Sequence, residues 1–208
     1  MFLKSLEIVN FKNHSNLHLD FVEKVNIFIG KNGVGKTNIL DAIYYLSIFR
    51  SHIHNQDIQN IKKVESFFRL RGLYSPDYEV LVKYAYRNKS IEVNKFKLTK
   101  YSEYFGHIPL VHSSPSDIFL LYGGSEERRK FIDFAISTFD SGYLKKVTEY
   151  GKYLEQRNGH LKNSEQIDLE LIKFYNSHLI SLGEVIFETR KAVLTKLSDR
   201  IQYWYQEI

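Results

Sequence analysis

Eight consecutive residues carry most of the chemistry legible in the chain. Gly30-Lys31-Asn32-Gly33-Val34-Gly35-Lys36-Thr37 fits the pattern G-x-x-x-x-G-K-[ST]. In such a loop backbone N–H groups surround phosphate oxygens, the lysine meets the β- and γ-phosphates, and the hydroxyl ligates Mg²⁺. Lys36 and Thr37 take those two roles here, and Asn38 follows directly. Gly30, Gly33 and Gly35 are expected to supply tight, partly positive-φ geometry. A second anion site is read at Gly123-Gly124-Ser125-Glu126-Glu127-Arg128-Arg129, a Gly-Gly turn feeding a helix start with paired arginines. Ser125 is the expected N-cap, and Glu126 and Glu127 suit the first turn.

The flanking elements must hold these groups in place. Val25–Ile29 is apolar and β-prone, and residues 38–46 read as a helix with apolar positions at 39, 42, 43 and 46. Strand, glycine loop and helix is the required context. Two strands are expected at 2–9 and 17–21, around the turn Lys12-Asn13-His14-Ser15-Asn16. Residues 50–65 read as a loop with one short helix. Strands follow at 67–73, 78–86 and 90–98, with Arg87-Asn88-Lys89 as a hairpin turn. Ile108–Val111 reads as another short strand. The second half is helical: one helix runs from about Ser125 to Thr138. Another starts near Ser141 with Leu144, Val147, Tyr150 and Leu154 on one face, and residues 162–166 form a turn. A third carries Ile172, Tyr175, Leu179, Leu182, Ile186 and Val193 at spacings of three and four. The expected organisation is a phosphate-binding, β-rich lobe over 1–112 and a helical lobe over 113–208.

Bulk composition narrows the class. The 208 residues contain no cysteine, which excludes disulfides and thiolate metal sites. No apolar run reaches the roughly 18 residues of a membrane span, so a cytoplasmic protein without membrane contact is expected. Residues 1–104 hold 16 lysines and arginines against 10 aspartates and glutamates, so the basic excess lies in the half with the glycine loop. That balance makes a polyanion such as DNA a candidate partner.

The motifs together resemble the RecF family, bacterial recombinational repair proteins of the ABC/SMC-type ATPase class. Phe11-Lys12-Asn13 stands where that family has Phe-Arg-Asn. Gly30 through Asn38, Asp41 and Ala42 match its phosphate loop. Pro115, Asp117, Ile118, Gly123, Glu127, Arg128, Arg129, Phe131 and Asp133 fit its signature region, and Leu154–Asn158 resembles a later motif. The resemblance implies an α/β P-loop head bound to ATP and Mg²⁺, and an ATP-dependent homodimer on single-stranded or gapped DNA, acting with other recombination mediators in repair, replication and the SOS response. In such a dimer Gly123, Gly124 and Ser125 would meet the γ-phosphate in trans, and Lys12 would add charge to the phosphates.

One family element is missing. No apolar run ends in the Asp-Glu pair that would hold Mg²⁺ and position water; Val185-Ile186-Phe187-Glu188 comes nearest, inside a helical pattern. The chain therefore reads as a head lacking the strand that normally lies beside the phosphate-loop strand, with an exposed edge or apolar face expected there. A P-loop kinase of small molecules or nucleotides is the alternative, weakened by the strands at 67–98. A GTPase fits less well, because Asn94-Lys95-Phe96-Lys97 ends in lysine where guanine recognition needs a carboxylate. Arg50, Lys62, Lys63, Arg69, Arg71, Lys89, Lys95 and Lys97 are candidates for DNA phosphate contacts.

Overall fold

The computed structural model describes residues 1–101, 104–163 and 166–207. The chain divides into two units with separate cores, Met1–His112 and Ser113–Ile208.

Among its described residues the first unit builds one six-stranded antiparallel sheet. The strands are β1 (Leu3–Phe11), β2 (His14–Asp20), β3 (Phe67–Tyr74), β4 (Tyr78–Ala85), β5 (Asn88–Val93) and β6 (Phe96–Lys97), in the order β2-β1-β3-β4-β5-β6. Period-two patterning sets the register, because a slip of one residue would turn every apolar side chain outward. Two buried rows cross the sheet: Leu6, Gly72, Val80 and Val93, then Ile8, Leu70, Val82 and Ile91. Charges fill the other face, where Arg71 reaches Glu7 at 3.2 Å and Glu79 at 2.7 Å.

Helix α1 (Lys36–Ile48) covers the apolar face with Ala42, Tyr45 and Leu46. The Tyr45 ring meets Phe11 and Phe68 edge-on at 6.1 and 5.5 Å. Gly72 lets the helix sit this close: a Cβ there would lie 2.8 Å from Leu46 Cδ1 and 3.0 Å from the Tyr74 ring. Leu46 is itself enclosed and has nowhere to retreat. Gly72→Ala is therefore expected to destabilise this unit by about 1–3 kcal/mol through overpacking, read as a lower midpoint in urea. An unchanged midpoint would mean that α1 has slack over the sheet.

Several strand expectations change. The β4–β5 connection is the two-residue turn Tyr86–Arg87, one position before the expected one, and Asn94–Lys95 divides the last strand into β5 and β6. All four turn residues have φ between 48° and 70°, the hand that matches strand twist in tight hairpins. Asn94 Oδ1 accepts from the Glu79 N–H at 2.8 Å. The segment likened to a guanine motif is thus a hairpin turn.

Val25–Ile29 forms no strand among the described residues, and Val25, Ile27 and Ile29 are 72%, 76% and 90% exposed. A strand needs a neighbour for its N–H and C=O groups, and none of the described strands pairs with this segment. Phe28 alone turns inward, edge-on to Phe21 at 6.1 Å. The strand expected at Ile108–Val111 is likewise absent. There the Ile108 carbonyl accepts from Ser47 Oγ at 2.6 Å, so a side chain replaces a ladder partner. Within residues 50–65 a single 3-10 turn, Asp57–Asn60, leads into a bridge between Phe11 and Ile61.

The second unit comprises a 3-10 turn (Pro115–Ile118), α2 (Phe119–Tyr122), α3 (Ser125–Ser137), α4 (Ser141–Asn163) and α5 (Leu169–Gln206). A capping box between Ser114 and Asp117 opens the first turn. The N-cap of α3 is Gly124 rather than Ser125. Ile132, Ile136, Tyr143 and Ile186 form the core, joined by Val147, Tyr150, Val193 and Leu197. Helix α5 is longer than expected, at 38 residues, or about 57 Å at ~1.5 Å per residue. Val185–Glu188 lies within it, so this run is not a strand ending in a carboxylate. Arg157 Nε donates to Asn176 Oδ1 at 2.7 Å, which makes the Leu154–Asn158 motif a tie between α4 and α5. Residues 164 and 165 of the expected turn lie outside the described residues.

Candidate nucleotide-phosphate site

The glycine loop leads straight into α1, with Gly35 as N-cap and Lys36 and Thr37 as its first residues. Gly33 and Gly35 have φ of 84° and 103°, while Gly30 does not enter the left-handed region. Two of the three glycines therefore do the conformational work expected of all three. The Lys36 ammonium donates to the Gly30 and Lys31 carbonyls at 2.7 and 2.9 Å. That contact closes the loop around the cation and places a charge beside the N–H groups at the start of α1. Lys31, Asn32, Gly33, Val34 and Thr37 are exposed along the same loop.

The β1–β2 turn braces this loop. Asn13 Nδ2 donates to the Val34 carbonyl at 3.0 Å, and His14 Nε2 lies 3.1 Å from the Gly35 carbonyl. Asn38 Nδ2 donates to Asn13 Oδ1 at 2.8 Å. Sequence reasoning selected this turn but chose Lys12 as its working residue. The structure gives Lys12 another partner. Its ammonium sits 2.6 Å from Asp41 Oδ2, with side-chain exposures of 6% and 2%. Asp41 also accepts from Ser51 Oγ and the His52 N–H, both at 2.7 Å. The cation expected to face phosphates is instead committed to a buried carboxylate on α1, because a desolvated charge needs a nearby counter-charge. The signal for that pairing was an acidic residue among the apolar positions of α1.

Aromatic groups near α1 hold their protons firmly. Burial, then the bond to Asp57 at 2.5 Å, pushes the Tyr45 hydroxyl well above its ordinary value. Burial raises Tyr44 too, and Arg50 opposes the shift.

Gly123, Gly124 and Ser125 lie in the second unit at the start of α3. Gly123 closes α2, its N–H donating to the Phe119 carbonyl at 2.7 Å, and Arg128 donates to the Gly123 carbonyl at 3.0 Å. No side chain caps α3. Ser125 Oγ accepts from Arg129 at 2.9 Å, and the Lys130 ammonium, 2.7 Å from Glu126, holds that carboxyl below its usual range.

Several of the DNA candidates are engaged within the first unit. Lys89 pairs with Asp57 at 2.9 Å, Arg71 and Arg69 pair with Glu7, and Lys62 donates to Ser15. Lys63, Lys95 and Lys97 are exposed. No group of three or more potential metal ligands occurs among the described residues, and none of their helices is long and apolar enough to cross a membrane.

A glycine-rich loop ending in Lys-Thr at a helix N-terminus, beside an antiparallel sheet and with a separate helical unit, defines a P-loop ATPase head. The family model described as AAA ATPase domain matches residues 1–206, and the chain belongs to that family. Within it the chain is similar to RecF. It is 40% identical over 213 residues to the DNA replication and repair protein RecF of Phocaeicola vulgatus, with all of this chain and 57% of that protein covered. Identity is 38% over 212 residues to RecF of Clostridium acetobutylicum, of which 58% is covered. Among solved structures, the recombination mediator protein RecF-ATP in the RecFOR pathway matches with a TM-score of 0.91 and 33% identity, over all of this chain and 57% of that one. A RecF-ATPrS structure matches with a TM-score of 0.94 at 33% identity and 58% coverage. The chain thus spans a little over half the length of these relatives. None of them supports the kinase alternative.

Proposed function

We propose that this chain binds ATP with Mg²⁺ at residues 30–38 and serves recombinational DNA repair and replication as a RecF-type head. The observation that carries the reading is the loop itself, with its carbonyls held to one side by the β1–β2 turn and its lysine poised at the start of α1. Lys36 would exchange the Gly30 and Lys31 carbonyls for β- and γ-phosphate oxygens, and the exposed Thr37 hydroxyl would ligate Mg²⁺. Bound Mg²⁺ would neutralise phosphate charge. The start of α3 in a second copy, Gly123 to Ser125, would present N–H groups to the γ-phosphate. Such a dimer would engage gapped or single-stranded DNA in the cytoplasm together with other mediator proteins. Lys63, Lys95 and Lys97 are the foremost phosphate-contact candidates, so DNA affinity should fall with salt. No described residue is assigned the water-positioning role.

The test is ATP titration with wild type and Lys36→Ala, with and without DNA. Loss of the charge-assisted contacts is expected to weaken ATP by about 2 kcal/mol, roughly thirtyfold. Equal affinity in the variant would remove the loop from the site. Binding without turnover fits a site whose carboxylates come from elsewhere. Turnover lost in Lys36→Ala would assign them to this chain or to a second copy.

A further inference from the structure

We propose that Asn13 and His14 are positioning residues that aim the N–H groups of Gly35 and Lys36 at the nucleotide phosphates; this rests on the ATP reading above. The reasoning starts from the trans peptide plane. A carbonyl and the following N–H share one plane and point in opposite directions. Asn13 holds the Val34 carbonyl at 3.0 Å, so the Gly35 N–H is turned away from the β1–β2 turn. His14 holds the Gly35 carbonyl at 3.1 Å and turns the Lys36 N–H the same way. Each tether therefore sets the direction of one donor on the face of the loop opposite the turn.

Three further observations support the device. Asn38 donates to Asn13 Oδ1 at 2.8 Å, which fixes the amide with its nitrogen toward Val34. A carbonyl can only accept, so the His14 proton resides on Nε2, in a form that both the neutral tautomer and the imidazolium provide. Finally, a Cβ on Gly35 would lie 2.5 Å from Asn13 Nδ2, Asn13 Oδ1 and His14 Nε2. The turn thus presses on the loop at the one residue that combines φ of 103° with the helix N-cap. The two tethers span 21 residues of sequence each, and local spacing gives no hint of them.

The experiment measures Mg-ATP affinity by calorimetry for wild type, Lys36→Ala, Asn13→Ala, His14→Leu and His14→Gln, with amide NMR of the nucleotide-free proteins. Each lost tether is expected to weaken ATP roughly fivefold to tenfold, the effect of one net hydrogen bond. His14→Gln places an amide donor near the original Nε2 and should stay within about twofold of wild type. Only a positioning role predicts that rescue, together with Gly35 and Lys36 amide signals that move in His14→Leu and return in His14→Gln. If wild type binds, Lys36→Ala binds more weakly, and both Asn13→Ala and His14→Leu match wild type, the inference is overturned. If wild type itself fails to bind ATP, the ATP reading falls. The Gly35 and Lys36 amide signals then still decide the bracing, and unchanged signals in His14→Leu would refute it. Should His14→Leu fail to fold, Asn13→Ala, an exposed position, carries the same comparison.

Discussion

Asp41→Ala is expected to lower the stability of the Met1–His112 unit by about 3–5 kcal/mol, the range for removing one partner of a buried ion pair. Asp41 gathers a lysine ammonium, a serine hydroxyl and a backbone N–H around one buried carboxylate. Alanine would strand all three. Lys12 suffers most, because its ammonium is nearly enclosed, with Asp41 as its charge partner and no well-directed hydrogen bond. The pair itself need not be strongly stabilising, since desolvation offsets much of its attraction. Hence the double variant Lys12→Met with Asp41→Leu should recover most of the loss, a coupling that only contacting residues show. Urea unfolding of wild type, Lys12→Met, Asp41→Leu and the double variant closes the cycle. A single-variant loss under about 1 kcal/mol would place Lys12 in solvent contact and return it to the list of phosphate ligands.

The second large effect is expected in the helical unit. Asp133 on α3 accepts a bidentate pair from Arg190 on α5, at 2.8 and 2.7 Å, and the Tyr143 hydroxyl of α4 at 2.5 Å. One carboxylate thus ties three helices. Arg190 and Asp133 keep side-chain exposures of 27% and 18%, so solvent screens part of the attraction. Tyr143 is fully buried and would lose its acceptor. Asp133→Ala should therefore destabilise this unit by about 2–3 kcal/mol, seen as an earlier loss of helical circular dichroism on heating. Coincident melting with wild type would mean that the apolar cluster alone holds the helices.

The same site carries a pH signature. Burial first, and then the Asp133 bond, push the Tyr143 hydroxyl up from 10.0 to about 12. A raised folded-state value means that the unfolded chain deprotonates first. The contribution is complete below pH 10 and fades as pH climbs from 10 toward 12. Tyr45 and Tyr74 are raised in the same direction by burial, so the first unit should weaken over a similar alkaline range. Melts between pH 8 and 12 read this directly, and a flat profile would contradict the burial of these hydroxyls.

Much of the fold was legible because it rests on local periodicity. Alternation in 2–9, 67–73 and 78–86 gave strands, since every second residue faces one side of a sheet. Spacing of three and four gave α4 and the packed face of α5, and the Gly-Gly turn with an acidic first turn gave the start of α3. Boundaries moved where long-range pairing overrode local preference. Tyr86, Arg87, Asn94 and Lys95 all accept positive φ so that the buried rows keep register. Val25–Ile29 shows the reverse case: these β-prone residues make no strand, and no described strand pairs with them.

The glycine loop, its lysine and threonine, and the start of the helix behind them were legible in eight consecutive residues, because the geometry of such a loop depends on backbone conformation and on side chains adjacent in sequence. The tertiary structure alone decided which member of the Lys12-Asn13-His14 turn serves that loop. Lys12 turns inward to Asp41, 29 positions away, and Asn13 and His14 take hold of carbonyls 21 positions away. A buried charge seeks its counter-charge, and a loop carbonyl its donor, wherever the fold brings them, and no sequence spacing records that distance.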